Sequence, residues 1–318
     1  MTAADLPRLP GSPLLAVSAA RLAFQNPVVL AAGTAAYGRE LARVIDLDRL
    51  GGLVTKAVSM QPRKGAPSPR VAEFAGGMVN AIGLANPGVN AVRDSELPWL
   101  ADHLRETRVL VNVVGDQVHE YAEVVRELNE APGISAFELN VSCPNVRAGG
   151  MEFGADPRTL AEVVSQARAA TAMPLFVKLS PTLPDLVASA GTAVDAGADA
   201  ISLVNTIPGL VIDTERRRPM LGFGSGGVSG TALLPVGVLA TWKVARAVRV
   251  PVLGVGGVSS AEDALQYLMA GATLVGIGTA ALRDPRTPER VVRGLHRWCE
   301  QHNVRALNDV VGSLEWAQ

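Results

Sequence analysis

Eight short apolar runs, rich in β-branched residues, recur along this 318-residue chain and alternate with helix-like segments. Each run is apolar almost throughout, which indicates strands that are buried on both faces of a parallel sheet. The runs lie at 27–33, 52–58, 109–115, 137–143, 175–180, 200–205, 251–256 and 273–278. A chain with this pattern can fold only into some form of α/β sheet with helices covering it.

The segments between these runs carry helical periodicity and the residues that begin and end helices. Helices are predicted at 120–130, 156–171, 183–196, 233–248 and 260–270. Asp156 and Pro157 form an N-cap and first-turn pair, Ser259 precedes the helix at 260–270, and Gly197 and Gly271 follow helix ends. Eight such alternations without a break in composition predict one α/β domain over residues 1–318, a (β/α)8 or TIM barrel.

A doubly wound open sheet is the alternative architecture, but it would place G-x-G-x-x-G after the first strand. The sequence AAGTAAYG at 31–38 does not match that motif. Residues 1–25 precede the first run, and we expect them to form a small hairpin that closes the bottom of the barrel. The segments 59–96 and 207–230 are long insertions at the C-terminal face, where loops of this length are usually functional.

Composition excludes several classes of function. Lys and Arg total 29 against 30 Asp and Glu, so a net charge of −1 gives no sign of a nucleic-acid or anionic-membrane surface. The start lacks the pattern of a signal peptide, and no apolar run approaches 18 residues. The two cysteines, Cys143 and Cys299, provide no C-x-x-C motif, and the four histidines fall at no strand end, so we predict no metal site and a cytoplasmic location.

Polar residues and glycines collect where the predicted strands end, and the active sites of (β/α)8 barrels lie at that face. They are Gly33, Lys56, Asn112, Asn140, Cys143, Asn145, Lys178, Asn205, Thr206, Gly256, Gly257, Gly278 and Thr279. A polar group in an apolar strand carries a desolvation penalty unless something bonds to it. The set as a whole therefore predicts a buried polar ligand.

The last two strands end in GGVSS at 256–260 and GIGT at 276–279. Glycines let backbone N–H groups approach a phosphate closely, and we expect the N-terminus of the helix after Ser259 to add positive potential there. Phosphate sites after strands seven and eight are common in this fold. The two glycine motifs therefore predict a phosphate-bearing ligand.

Several of these segments resemble the class 1 dihydroorotate dehydrogenases over essentially the whole chain. The most specific is ELNVSCPNVRAGG at 138–150, which resembles the active-site strand and loop of that family. Matching segments are TKA (55–57), NAIGLANPG (80–88), FGADP (153–157), VKLSP (177–181), NT (205–206), GGVSG (226–230) and the two glycine motifs. The form GLANPG is similar to class 1B, the NAD-linked heteromeric type. The resemblance implies a barrel that binds FMN and oxidises dihydroorotate to orotate in pyrimidine (UMP) biosynthesis.

The resemblance also implies roles for individual residues. Cys143 is the expected base that removes a proton from C5 while a hydride leaves C6 for flavin N5, and Lys56 contacts both substrate and flavin. The expected FMN-binding residues are Ala32, Gly33, Lys56, Ala57, Asn112, Asn140, Lys178, Val204, Gly230, Gly256, Gly257, Gly278 and Thr279. The expected substrate-binding residues are Lys56, Asn80, Ala81, Ile82, Gly83, Leu84, Asn140, Asn145, Asn205 and Thr206. Ala32 departs from the family, which often has Ser at this place beside the flavin.

Class 1B resemblance implies a homodimer core and a partner subunit that carries FAD and a [2Fe–2S] cluster and passes electrons to NAD+. Two cysteines cannot hold a four-cysteine cluster in this chain. A fumarate-linked class 1A enzyme and a reductase similar to FMN-dependent dihydropyrimidine dehydrogenase are the enzymatic alternatives. A flavin-binding barrel without turnover is the non-enzymatic one. Class 2 enzymes use Ser as base, and Cys143 argues against that class.

Overall fold

A computed structural model describes residues 13–142, 144–145 and 151–316, and at 144, 145 and 151 it describes the backbone alone. Its centre is a closed parallel barrel of eight strands. The strands are β1 (Val28–Leu30), β2 (Gly52–Val54), β3 (Arg108–Val113), β4 (Ala136–Asn140), β5 (Leu175–Leu179), β6 (Ala200–Leu203), β7 (Val252–Val255) and β8 (Leu274–Ile277). Each strand pairs with the next along the chain, and β8 pairs with β1. The predicted (β/α)8 barrel is confirmed.

Helices cover the outside of the barrel. They are α1 (Val89–Ala91), α2 (Leu97–His103), α3 (Val118–Leu128), α4 (Pro157–Ala170), α5 (Leu186–Asp195), α6 (Leu234–Ala245), α7 (Ala261–Met269), α8 (Thr279–Arg283) and α9 (Thr287–Gln301). A π-helical stretch, Val92–Glu96, joins α1 to α2. The five predicted helices are present, with ends that shift by up to three residues.

Helix caps explain two of the boundaries. Asp156 caps α4 as predicted, because its carboxylate accepts a hydrogen bond from the Thr159 amide at 2.8 Å. The expectation for α7 was wrong by one residue. Ser260, rather than Ser259, is the N-cap, and it forms a reciprocal capping box with Asp263.

The N-terminal hairpin closes the bottom of the barrel as predicted, over the residues that the structure describes. Val17–Ala19 pairs antiparallel with Leu22–Phe24. Val17 and Phe24 pack with Val54, Leu110 and Phe176, which line the lower barrel interior. Burying these large side chains removes apolar surface from water at about 25 cal/mol per Å2, so the lower interior is a packed core rather than a channel.

The two long insertions are not irregular loops. Together they form a four-stranded antiparallel sheet in the order Ile207–Gly209, Gly226–Ser229, Gly77–Asn80 and Val71–Phe74. Residues about 150 positions apart in the sequence therefore pair, as Gly227 does with Asn80. We call this element the inserted sheet. Across residues 13–142, 144–145 and 151–316, we find no helix with the length and apolarity needed to cross a membrane.

Candidate active site

Strand alternation places a polar layer directly above the apolar core inside the barrel. Val54, Leu110, Ala136, Phe176 and Ala200 belong to the apolar cluster of the lower interior. Two residues further along each chain segment, the same inward-facing positions carry Lys56, Asn112, Glu138, Lys178 and Ser202. Four of these five are less than 9% exposed, and Lys56 is half-buried. The side chains that fill the barrel interior thus change from apolar to polar over two residues along each strand, in the C-terminal half of the barrel.

Lys56 and Gly33 lie against each other at the end of the first two strands. A Cβ atom at Gly33 would stand 3.7 Å from the Lys56 ammonium, and Gly33 has a φ of +80°. Lys56 was expected within a strand, but β2 ends at Val54, so the lysine lies just beyond it. Its position at the mouth, rather than in the strand, gives the ammonium access to a ligand above the barrel.

Lys178 lies inside β5 as predicted, with 6% of its surface exposed. In register it stands beside Asn140 of β4 and Ser202 of β6. Two ammonium groups, Lys56 and Lys178, therefore enter the polar layer from different sides of the barrel. Buried positive charges of this kind favour a ligand that carries negative charge.

A buried carboxylate joins three strands across the polar layer. Glu138 accepts hydrogen bonds from Asn112 Nδ2 and from the Ser202 hydroxyl, each at 2.7 Å. Asn112 is fully buried, and its Oδ1 atom finds no hydrogen-bond partner among the residues that the structure describes. A buried acceptor left without a partner costs about 1–3 kcal/mol. The Asn112 amide is thus held on one side and able to accept a hydrogen bond on the other.

A second polar cluster lies above Asn140. Ser142 donates its hydroxyl to Asn140 Oδ1 at 2.8 Å, and Asn205 Nδ2 donates to the Ser142 hydroxyl at 2.7 Å. Asn205 Oδ1 in turn accepts from the Thr206 amide at 2.9 Å. The predicted residues Asn140, Asn205 and Thr206 are therefore brought together, with Ser142 as the link between them.

The inserted sheet lies close to this cluster and brings Asn80 towards it. Asn80 Nδ2 donates to the Gly227 carbonyl at 3.1 Å. A Cβ atom at Gly227 would lie only 2.1 Å from the Thr206 hydroxyl oxygen, so only glycine fits there. The inserted sheet is therefore in contact with Thr206 at this point. Asn80 and Thr206 both contact Gly227.

The segment after Asn80 includes the predicted substrate residues Ala81, Ile82, Gly83 and Leu84. Gly83 and Leu84 both have positive φ, +67° and +55°. Asn86 fixes this turn, because its side chain donates to the Leu84 carbonyl at 2.8 Å and accepts from the Gly88 amide at 2.9 Å. The Asn86 side chain thus holds this turn in place; Ala81, Ile82 and Leu84 are half-buried, and Gly83 is exposed.

The predicted phosphate end contains Gly256 and Gly257 after β7, and Gly278 and Thr279 after β8. Gly256 and Gly257 have φ of +130° and +76°. A Cβ atom at Gly257 would lie 2.5 Å from the Leu234 amide nitrogen, which begins α6. Thr279 donates its hydroxyl to the Ser229 hydroxyl at 2.8 Å, and Gly230 follows Ser229. Thr279, which directly follows Gly278, thus contacts the inserted sheet at Ser229.

The contribution of the α7 N-terminus to phosphate binding stays a prediction. The amides of Ser259 and Ser260 both donate to the Asp263 carboxylate, at 2.9 and 3.0 Å. Asp263 thus accepts from two of the amides at this helix end and places its carboxylate beside them. The beginning of α8, by contrast, has no side-chain cap at Gly278. A phosphate at this end would depend on the glycine backbone and on Thr279.

Each of the three tyrosines donates its hydroxyl to a backbone carbonyl near the end of a barrel strand. Tyr121 reaches Asn140 at 3.0 Å, Tyr267 reaches Gly256 at 2.8 Å, and Tyr37 reaches Ala57 at 3.5 Å. Burial raises the pKa of Tyr37 and Tyr267 well above the usual range, so these hydroxyls remain protonated donors. All three acceptors are residues that the sequence predicts to bind the cofactor.

Some predicted residues lie outside this description or apart from the cluster. Cys143 lies outside the described residues, and so does the side chain of Asn145, so the prediction of Cys143 as the base stays a prediction. Ala32 is half-buried beside Gly33, and Val204 is 2% exposed directly after β6. Cys299 is buried in α9, where burial raises the pKa of its thiol, in keeping with a packing role.

Sequence reasoning missed Glu138, Ser142, Ser202 and the three tyrosines. Glu138 had a signal, because a polar residue two positions from another in a buried strand shares its face. Glu138 precedes Asn140 by two in an otherwise apolar run. The tyrosines had none, since they lie on helices or loops far from the strand ends in sequence. Histidines were predicted at the surface, and within the described residues no group of acidic, histidine and cysteine side chains could hold a metal.

The fold and this site define a (β/α)8 barrel whose C-terminal mouth gathers two lysines, several amide and hydroxyl side chains and a set of positive-φ glycines. The chain belongs to the dihydroorotate dehydrogenase family, whose profile it matches over residues 14–298.

Individual relatives agree with this membership. The chain is 46% identical over 303 residues to the catalytic subunit of dihydroorotate dehydrogenase B (NAD(+)) from Pelobacter propionicus, covering 95% of this chain and 99% of the relative. The proteins of the same name from Geotalea uraniireducens and Geobacter sulfurreducens are 44% and 42% identical, over 96% and 95% of this chain and 99% of each relative. The resemblance to class 1B drawn from the motifs is confirmed.

Proposed function

We propose that this chain is the FMN-binding catalytic subunit of an NAD-linked dihydroorotate dehydrogenase, which oxidises dihydroorotate to orotate in pyrimidine biosynthesis. The observation that carries the proposal is the polar layer itself. Lys56, Lys178 and Asn112 face the barrel interior beneath a mouth formed by Asn140, Asn205 and Thr206. The relatives named above are catalytic subunits of that enzyme.

The residues present fit FMN. Asn112 Oδ1 lacks a partner among the described residues, and a ring N–H would supply one. Lys178 and Lys56 offer positive charge to a ring system that becomes anionic on reduction. Gly256, Gly257, Gly278 and Thr279 supply close backbone approach for the phosphate. FMN, when bound, accepts the hydride that leaves the substrate.

The substrate ring alternates N–H and C=O groups, and amide side chains offer both donors and acceptors to such a ring. Asn80, Asn140, Asn205 and Thr206 are the residues that would bind it, together with the backbone of 81–84. Lys56 would pair with the carboxylate of the substrate. Binding from several directions fixes the ring orientation, which lowers the entropic part of the barrier.

Oxidation also requires removal of a proton from carbon, and we assign this role to Cys143 on the family resemblance. The thiolate is the active form of such a base, so Cys143 must be partly ionised in the complex. Ser142, which bonds to Asn140 and Asn205, would hold the chain in place directly before the base.

Electrons must then leave the chain for NAD+. The sequence has two cysteines and no C-x-x-C, so it cannot supply a four-cysteine cluster. We therefore propose a partner subunit that carries FAD and a [2Fe–2S] cluster, bound to a homodimer of this chain in a heterotetramer.

The test is anaerobic titration of the purified, FMN-loaded chain with dihydroorotate, followed by its flavin absorbance. Bleaching of the flavin and formation of orotate are expected, with turnover on an artificial dye and negligible reduction of NAD+ until the partner subunit is added. A flavin that binds but is not bleached would instead identify a non-catalytic barrel. Efficient fumarate reduction by the isolated chain would assign it to class 1A.

A further inference from the structure

Glu138 is a buried carboxylate that no part of the proposed chemistry uses. It is 1% exposed, and both of its oxygen atoms accept hydrogen bonds, from Asn112 Nδ2 and from the Ser202 hydroxyl. Acidic side chains are rarely buried to this degree unless they are paired with a positive charge or have a functional role. Both of these donors are neutral groups, so neither hydrogen bond supplies a counter-charge to the carboxylate.

The strand register shows how close the Glu138 carboxylate is to Lys178. Glu138 lies on β4 and Ser202 on β6, so their 2.7 Å hydrogen bond crosses the inner face of β5. Ser202 stands directly beside Lys178 in the register of β5 and β6. With neighbouring strands about 4.8 Å apart, the carboxylate is within roughly 10 Å of the Lys178 backbone. In a protein interior, a unit charge about 10 Å from a bound anion alters the affinity for that anion on the order of tenfold.

We propose that Glu138 is the positioning residue and counter-charge of the redox pocket. Its carboxylate accepts from Asn112 Nδ2 and so leaves Oδ1 as the acceptor presented to the ligand, which selects a ring N–H at that point. Its negative charge offsets part of the positive potential of Lys56 and Lys178. It thereby limits how strongly the pocket stabilises the reduced flavin and how tightly it retains the anionic product. This inference rests on the proposed function.

Glu138→Gln separates the charge from the hydrogen bonds. Glutamine has nearly the same shape, and its Oε1 can accept from Asn112 while its Nε2 donates to Ser202. FMN affinity should stay within about threefold of the parent value. The midpoint potential of bound FMN should rise, and orotate should bind more tightly, by up to about tenfold.

Two further variants test the two parts of the proposal. Ser202→Ala keeps the charge and removes one of its donors, so the potential of bound FMN should move in the negative direction. Glu138→Leu removes both the charge and the acceptor for Asn112, and FMN affinity should fall by more than tenfold. Glu289→Gln is the matched control, because Glu289 is also 1% exposed but lies on α9 and pairs with Arg293. It should change neither the potential nor orotate affinity.

The measurements are FMN binding by fluorescence quenching, the potential of bound FMN by dye equilibration, and orotate binding by flavin absorbance. If the parent chain does not bind FMN, the proposed function fails. If the parent binds FMN but Glu138→Gln matches it in potential and in orotate affinity, this inference is overturned while the proposed function stands. Shifts of the same sign in Glu138→Gln and Ser202→Ala would also overturn it.

Discussion

Tyr121 on helix α3 donates its hydroxyl to the backbone carbonyl of Asn140 at the end of strand β4, across 3.0 Å. The tyrosine ring is buried between the helices and the barrel, and Phe153 contacts it edge-on with ring centroids 5.7 Å apart. Asn140 is the residue whose side chain accepts from Ser142 and lies within the candidate site. The Tyr121 hydrogen bond, made outside the barrel, thus fixes the backbone of Asn140, whose side chain belongs to the candidate site.

Tyr121→Phe should therefore lower activity without removing any group from the site. The ring keeps its packing, while the Asn140 carbonyl loses a donor at a cost of about 1 kcal/mol of folding free energy. We expect kcat/KM for dihydroorotate to fall several-fold, measured by dye reduction alongside urea unfolding.

Thr241→Val is the control for this deletion of a hydroxyl. Thr241 is fully buried in α6, and its hydroxyl has no partner among the residues that the structure describes. Its removal should leave activity unchanged and leave stability equal or higher. Equal activity in Tyr121→Phe and the parent chain would show that the Asn140 carbonyl needs no external donor.

Gly227→Ala should weaken substrate binding more than cofactor binding. The added Cβ would stand 2.1 Å from the Thr206 hydroxyl oxygen, so either Thr206 or the inserted sheet must move. The KM for dihydroorotate should rise at least tenfold, while FMN affinity changes less than about threefold, since a displacement of 1 Å can cost 100-fold.

Gly191→Ala provides the matched control for that substitution. Gly191 lies within α5, and a Cβ there meets nothing within 4 Å. Alanine is the better helix former by up to about 1 kcal/mol, so this variant should unfold at a higher urea concentration with unchanged KM. A KM in Gly227→Ala equal to that of Gly191→Ala would contradict contact between the inserted sheet and the substrate site.

Glu152→Gln should stabilise the chain at neutral pH. Burial raises the pKa of Glu152, although hydrogen bonds from Ser180 and Thr182 partly oppose the shift, and one of its oxygens has no partner within the described chain. Because the folded state binds this proton more tightly, stability is greatest below the ordinary carboxyl pKa of 4.5 and falls as pH rises through the raised value. In urea unfolding, Glu152→Gln should have a higher free energy of unfolding than the parent chain at pH 7 but not at pH 4.

Asp156→Asn should show the opposite pH dependence. It therefore tests whether removing any carboxylate would have the same effect on stability as Glu152→Gln. Hydrogen bonds from the Thr159 side chain and amide lower the pKa of Asp156. Its carboxylate therefore contributes stability above the ordinary pKa of 3.8, and this contribution is lost as pH falls through the lowered value. The asparagine variant should be less stable than the parent at pH 7. Parallel pH profiles for the two variants would refute both assignments.

Cys143→Ser should slow the reduction of bound flavin by dihydroorotate at least about 100-fold, since general-base catalysis contributes that much or more. FMN should stay bound, and the parent rate should rise with pH towards the pKa of the thiol. Stopped-flow absorbance measures both. Cys299→Ser is the control, because Cys299 is buried in α9, and its rate should match the parent. An unchanged rate in Cys143→Ser would remove this residue from the mechanism.

The barrel and the strand-end positions of most candidate site residues could be predicted from the sequence, because both depend on local pattern. Buried parallel strands are apolar on both faces, and the residues that follow them lie at one rim of a closed barrel. Lys178 and Asn140 could thus be identified as exceptions within apolar runs. The exact strand ends could not be predicted, because a strand ends where its hydrogen bonds to the neighbouring strands end. Lys56 therefore lies beyond β2, although the apolar run continues to residue 58.

Only the tertiary structure decided which distant residues meet. The inserted sheet pairs residues about 150 positions apart, and neither glycine-rich segment indicates a partner by itself. The sequence of α7 likewise does not show that the Ser259 and Ser260 amides both donate to Asp263. Glu138 accepts from Ser202 across the intervening strand β5, and Tyr121 reaches Asn140 from a helix. Sequence pattern specifies which face a residue occupies, whereas a hydrogen bond between elements depends on how those faces are packed together.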